Sequence, residues 1–296
     1  MGKFKLFWKN NGIGYLFLTP WIIGILTLTA IPMGASLYFS FTSYDMFNAP
    51  TWIGLENYEA LFSDPKWLQS VKVTFIYVLI GVPLQLAFAL FIAVLLNKGI
   101  GGLRIYRAVY YVPSLFGGSV AIAILWRQIF GGNGLVNNIL DKFGLGGINW
   151  ISTPDTALYT LIILMVWQFG ASMVIFLAGL KQVPIELYES AKIDGAGPLK
   201  QFFMITLPLI TPVVFFNLVM GIIGAFQAFT PAYIVSGGTG GPLNSTLFYT
   251  LYLYQKGFTQ FAMGYASAMA WILLIVIALA TAIVFATSKK WVYYQG

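Results

Sequence analysis

Six stretches without a single charged side chain divide this sequence: 10–44, 73–97, 108–126, 156–180, 201–255 and 257–288. A helix needs about 20 apolar residues to cross roughly 30 Å of hydrocarbon, and runs of that length recur along the whole chain. Composition removes the alternative of a water-facing surface. Only 8% of the 296 residues are charged and 59% are hydrophobic, whereas a soluble domain carries about 25% charged residues. The expected fold class is an all-α integral membrane protein, one transmembrane domain over 1–296 with six helices near 13–40, 70–96, 107–130, 156–180, 202–232 and 262–287.

The fifth uncharged stretch is long enough for more than one crossing. Its second part, "PLNSTLFYTLYLYQ", is short and rich in Asn, Ser, Thr and Tyr, which suits an interfacial helix better than a span. Charge placement agrees with six spans. With the amino terminus inside, the inner segments hold Lys3, Lys5, Lys9, Lys98, Arg104, Arg107, Lys181, Lys192, Lys200, Lys289 and Lys290. The outer ones hold Lys66, Lys72, Arg127, Lys142 and Lys256, so eleven of the 16 basic residues fall inside, the expected bias for cytoplasmic loops. Both termini are then cytoplasmic. The apolar run after Lys9 is longer than a signal-peptide core, so the first helix is expected to remain.

Local signals mark the ends. Pro65 and Pro154 sit where a helix can start without losing a needed N–H, with Thr153 as the expected N-cap. Gly131, Gly132, Gly134, Gly144, Gly146 and Gly147 mark an outer loop, and "SGGTGGP" reads as an outer turn.

Much chemistry is excluded. Cysteine and histidine are both absent, which removes disulfides, thiolate nucleophiles, Cys–His and Ser–His catalysis and the commonest zinc ligands. No GxxxxGK[ST] occurs, so the chain should not hydrolyse ATP. The expected spans hold almost no ionisable side chains. This argues against a proton symporter and less strongly against a sodium-coupled secondary carrier of a neutral polar solute, since sodium can be held by backbone carbonyls. No TVGYG-like filter is present. What is left is a path for something polar but not strongly charged.

"ELYESAKIDGAGPLKQFFMITLPLITP", Glu186 to Pro212, is unlike its surroundings. Pro184 suits a first helical turn, and Glu186 and Glu189 lie near a positive helix end. Gly195 fits the left-handed residue that closes a helix, and Gly197-Pro198 starts another. So short a helix needs something to pack on. By pattern alone, an interfacial helix on lipid headgroups and a docking helix for a cytoplasmic protein fit equally.

The same stretch resembles the EAA motif of ABC-importer permeases, roughly E-A-A-x3-G-x9-I-x-L-P. It has Glu189-Ser190-Ala191, then Gly195, then Ile205, Leu207 and Pro208 at matching spacing, with Ser190 in place of the usual Ala. "LTPWIIG", "SLYFSFTSYD", "WIGLENYEALFSDP", "RAVYYVPSLFGGSVAIAILWRQIF", "LAGLKQVPIELYESAKIDGA" and "FAMGYASAMA" extend the likeness over nearly the whole chain. It is similar to the maltose/glycerol-phosphate branch of carbohydrate permeases. That resemblance implies a MetI-like core with six spans in a bacterial or archaeal cytoplasmic membrane. It also implies a second homologous permease, two cytoplasmic ATPase subunits carrying ATP and Mg, and an extracytoplasmic sugar-binding protein. The chain itself would hold no cofactor or metal and would be no enzyme.

On that resemblance, 184–197 is the coupling helix, with Glu189, Ala191, Asp194 and Gly195 as the residues for coupling to the ATPase, Ile193 as a packing anchor and Gly195 serving the backbone geometry. Glu189 either bonds ATPase groups or caps its own helix. Sugar contact falls to the fifth span, "NLVMGIIGAFQAFTPAYIV", which carries Asn217, Gln227 and Thr230 beside Phe226 and Phe229. Pro231 frees backbone groups near its outer end. Gln227 serves either as a sugar ligand or in an interhelical hydrogen bond. Ser267 and Gln168 are further candidates, although small residues such as Gly264, Ser267 and Ala268 also suit helix packing. The near-absence of basic side chains in the spans disfavours a phosphorylated cargo.

Overall fold

The computed structural model describes residues 2–97, 102–145 and 147–293, with the side chains of residues 2–12 excepted. Lys98 and Gly146 lie outside the described residues, as do the side chains of Lys3, Lys5 and Lys9. The chain divides into two compact units: Met1–Ser63 with Tyr254–Ile272, and Asp64–Leu253 with Leu273–Gly296.

In the first unit, α1 (Gly2–Ile25) runs through a π turn, Leu26–Ala30, into α2 (Ile31–Ser40). The π turn immediately precedes Pro32. A proline ring collides with the carbonyl four residues back in a regular helix, and a widened turn relieves that collision. A two-residue hairpin follows, β1 (Thr42–Ser43) against β2 (Thr51–Trp52), antiparallel with Thr42 opposite Trp52. The Asp45 carboxylate closes the loop between them by accepting the Phe47 and Asn48 N–H groups at 3.0 and 2.9 Å. These bonds, led by the one from Asn48, hold its pKa below the usual carboxylate value. In α3 (Glu56–Phe62), Asn57 donates to the Ser40 and Thr42 carbonyls at 3.0 and 2.9 Å, and Tyr58 donates to Ser40 Oγ at 2.8 Å. The "GLENY" stretch is therefore a clasp on the end of α2.

The second unit is built on α4 (Pro65–Asn97). Asp64 caps it by accepting from Lys66 N at 2.9 Å, and its other oxygen accepts from Tyr252 Oη at 2.5 Å. Next come α5 (Leu103–Phe116), α6 (Val120–Ile129), α7 (Leu135–Lys142), α8 (Pro154–Trp167), α9 (Gly170–Leu180), α10 (Ile185–Ile193) and α11 (Pro198–Gln201). A second π turn, Phe202–Thr206, again precedes a proline, Pro208 in α12 (Leu207–Leu209). The unit continues through α13 (Thr211–Phe226), α14 (Thr230–Val235) and α15 (Tyr249–Tyr254). The last helix, α16 (Met263–Ser288), begins in the first unit and ends in the second. α4 packs against α8, α9 and α13, and α5 packs against α9. Met173, Phe176, Leu161, Leu164 and Val82 are fully buried among these helices.

Among the described residues, three helices are long and apolar enough to cross a membrane, Ile13–Ser40, Pro65–Asn97 and Met263–Ser288; three bent pairs raise the number to six if each is one span. The third, fourth and fifth expected spans each correspond to a bent pair of helices. The region expected as 107–130 turns by 99° between α5 and α6, that expected as 156–180 by 42° between α8 and α9, and that expected as 202–232 by 66° at Ile210. The first turn falls at Gly117-Gly118, and Ser119 Oγ then caps α6 by accepting from Ile122 N at 3.3 Å. Thr153 occupies the N-cap position of α8 but makes no side-chain cap. Most of the segment "PLNSTLFYTLYLYQ" is packed into the second unit. Leu247, Phe248, Tyr249, Leu251 and Tyr252 are buried, with Phe248 4.6 Å from the Tyr77 ring and Trp67 Nε1 donating to Tyr249 Oη at 3.2 Å.

Candidate functional site: a neutral cavity at the helix breaks

Two helices are interrupted at the same place in the second unit. α13 stops at Phe226, Gln227 leaves helical geometry at φ −92°, ψ 2°, and Phe229 turns further, at φ −131°, ψ −59°, before α14 starts with Pro231 in its first turn. α8 stops at Trp167, and Gln168 and Phe169 link it to α9. Each break frees backbone groups that a continuous helix would satisfy.

Side chains answer for most of them. Gln85 on α4 donates to the Met165 carbonyl at 2.9 Å and the Gln168 carbonyl at 3.3 Å. Ser114 donates to the Gln168 carbonyl at 3.2 Å and accepts from Ala171 N at 2.9 Å. The Gln168 side chain donates to the Gly117 carbonyl at 2.9 Å, so it ties the α8–α9 break to the α5–α6 turn. Gly117 has no side chain because a Cβ there would strike the Gln168 amide. Thr250 donates to the Ala228 carbonyl at 2.5 Å.

Between the breaks lies a cavity of about 620 Å³. Of the residues expected to touch substrate, Asn217, Gln227, Phe229, Thr230 and Gln168 line it. Phe226 does not: it is buried, edge-on to Phe75 at 5.3 Å, because it is the last residue of α13 and turns into the helix packing. Ser267 belongs to the first unit and is half-buried on α16. Gln85, Tyr77 and Ser172, which the sequence did not single out, line the cavity as well. They lie in apolar runs with no neighbouring polar residue to draw attention.

The polar groups here divide by whether the chain already uses them. Gln85 and Gln168 hold the breaks. Asn217 donates to Val213 O at 3.0 Å, and its Oδ1 has no partner among the described residues. Gln227 is exposed, and its amide makes no hydrogen bond to any described residue; the same holds for the Thr230, Ser172 and Tyr77 hydroxyls. Among the described residues, none that lines the cavity is ionisable apart from the tyrosine. Such a wall offers donors and acceptors to a neutral, hydroxylated molecule and no counter-charge to an ion. Phe216, half-exposed at 51%, and Phe229 supply flat apolar surface beside those groups.

The second feature is α10. Its end is a Schellman motif: Ala196 N donates to Ala191 O at 2.8 Å, Gly195 N to Lys192 O at 3.0 Å, and Gly195 has φ +75°. Gln201 Nε2 locks the corner from outside on Ala196 O at 2.8 Å. Tyr188 Oη and Thr206 Oγ1, 2.8 Å apart, tie α10 to the π turn that leads into α12. No residue of α10 is buried. Ile193 is 88% exposed, and Glu189, Asp194 and Gly195 are exposed beside it, with Ala191 half-buried. The Glu189 carboxylate has no partner among the described residues, so it does not cap its own helix.

The family described as "binding-protein-dependent transport system inner membrane component" matches residues 57–292. A probable ABC transporter permease protein of Bacillus subtilis, YesP, is 57% identical over 100% of this chain and 96% of its own. The arabinooligosaccharides transport system permease AraP of the same organism is 34% identical over 92% of this chain and 87% of its own. Among solved structures, a chain of a bacterial alginate ABC transporter, crystallised in complex with an alginate pentasaccharide-bound periplasmic protein, superposes with a TM-score of 0.82. It covers 96% of each chain at 21% identity, and the fold is shared.

Proposed function

Because the chain belongs to the family of binding-protein-dependent transport inner membrane components and is a permease subunit of that class, we propose that it forms one half of the path by which an ATP-driven importer moves a neutral sugar or oligosaccharide across the membrane. The observation that carries the cargo class is the cavity wall: free Gln227, Thr230, Ser172 and Tyr77 groups with no charged side chain among them. Burying a hydroxyl without a partner costs roughly 2–7 kcal/mol, so about five of them cost on the order of 20. A wall of unpaired hydrogen-bonding groups offsets that cost while the sugar passes. A sodium-coupled carrier of a neutral solute could use the same wall; membership in the binding-protein-dependent family is what favours the importer.

In this reading both termini and α10 are cytoplasmic, as the distribution of Lys and Arg favours. A second, homologous permease completes the path, and two ATPase subunits, which hold ATP and Mg, dock on α10. Ile193 fills an apolar pocket on the ATPase, Glu189 and Asp194 bond to its polar groups, Ala191 lets the surfaces approach, and Gly195 shapes the corner that presents them. ATP-driven closure moves α10, and the Tyr188–Thr206 tie and the Gly195 corner pass the movement to α12 and α13. The cavity then opens to the outer face, where a sugar-binding protein delivers its load. Docking shifts this equilibrium only through contacts that differ between the two states.

The test is Gln227→Ala in the reconstituted complex. Losing one neutral hydrogen bond to the cargo lowers sugar-stimulated ATPase activity roughly 2- to 10-fold with subunit assembly unchanged. Unaltered sugar dependence removes Gln227 from the site.

A further inference from the structure

A second concavity, of about 810 Å³, is lined in part by α10, and Ile193 is not among its lining residues. Its walls come from places where membrane helices end. α4 finishes at Asn97 and α9 at Leu180, and both residues line it. Ile185, Tyr188 and Lys192 on α10 also line it, at the i, i+3 and i+7 spacing of a single helix face. The hollow thus sits where a hydrocarbon-spanning helix gives way to polar chain, the level of lipid headgroups.

Its chemistry is one-sided. Lys181 stands at the end of α9 and Lys192 at the end of α10, and among the described residues no aspartate or glutamate lines the hollow. Both lysines are exposed, and neither has an acidic partner among the described residues. The Tyr188 and Thr206 hydroxyls in the same wall are bonded to each other, the Asn97 and Gln201 amides add neutral polar groups, and Leu180, Val94, Val183 and Phe202 give the hollow an apolar flank. Two unpaired ammonium groups, the Asn97 amide and an apolar flank describe a receptor for a phosphate that carries a hydrophobic tail.

We propose that this hollow binds the phosphate-bearing headgroup of an anionic membrane lipid, held between Lys181 and Lys192. The inference rests on membrane placement and local charge, and it is independent of the cargo. Each lysine near an anionic surface favours it by about fivefold, so the pair favours an anionic over a zwitterionic headgroup on the order of 30-fold.

The test is native mass spectrometry on the protein purified with its accompanying subunits and offered equal amounts of phosphatidylglycerol and phosphatidylcholine. The wild type is expected to retain phosphatidylglycerol selectively. The Lys181→Gln/Lys192→Gln pair is expected to lose most of that preference. Lys200→Gln, at an exposed lysine outside the hollow, is expected to keep it. Displacement of the lipid by millimolar inorganic phosphate would support the anion site and identify free phosphate as a competing occupant; failure to displace it supports the lipid as occupant. Equal retention of the two lipids by the wild type would overturn the proposal, as would undiminished selectivity in the double variant. Because both lysines are exposed, loss of fold in the variant is not expected, and Lys192→Gln alone supplies an intermediate preference as an internal check.

Discussion

Gly195 has nothing within 4 Å of where a Cβ would sit, so its role is in the backbone alone: φ +75° at the end of α10. A branched side chain there costs about 1–2 kcal/mol in the left-handed region, and it competes with the two Schellman bonds that close the corner. Gly195→Val should therefore abolish most ATP-driven uptake in vesicles, while Gly195→Asn, which tolerates that conformation better, should retain a measurable part. Full uptake by the Val variant would remove the corner from the coupling path. The sequence made this residue legible because a glycine at a helix end has one dominant physical reading. Gln168 was legible only as a further candidate for sugar contact. Its actual need, the carbonyl of Gly117, comes from a turn 51 residues away that no local pattern records. Tyr77 and Ser172 were missed for the same reason, since their relevance is created entirely by the convergence of α4, α9 and α13.

Uncharged length told how much chain is available to cross a membrane, and it told nothing of direction. The 99° turn at Gly117-Gly118 and the 66° turn at Ile210 interrupt stretches that read as continuous. The break after Gln227 was easier to anticipate, because Pro231 cannot supply a helical N–H. Elements also meet at joints with no spare room. At the start of α16, Gly264 N donates to Tyr44 O at 3.1 Å, and a Cβ on Gly264 would collide with the Thr42 carbonyl and lie 3.2 Å from Asn57 Nδ2. Here α16 seats against the hairpin that Asn57 clasps. Gly264→Ala should cost about 1–3 kcal/mol by overpacking and lower the thermal transition of the first unit in detergent. Gly34→Ala, where nothing lies within 4 Å, should leave it unchanged. Equal melting of the two variants would show that the joint is looser than described.

For the molecule as a whole, the wall of the cavity has an electrical consequence. Alternating exposure of a site without fixed charge displaces no charge across the bilayer, so the membrane potential, worth about 2.3 kcal/mol per elementary charge per 100 mV, has nothing in the path to act on. Uptake of an uncharged cargo by the reconstituted importer should then proceed at the same rate when a potassium diffusion potential is imposed, reversed or collapsed at constant ATP. A rate that followed the imposed voltage would mean that a charge rides with the cargo or on a moving element. A cell with a de-energised membrane but some remaining nucleotide would still be able to feed through this route.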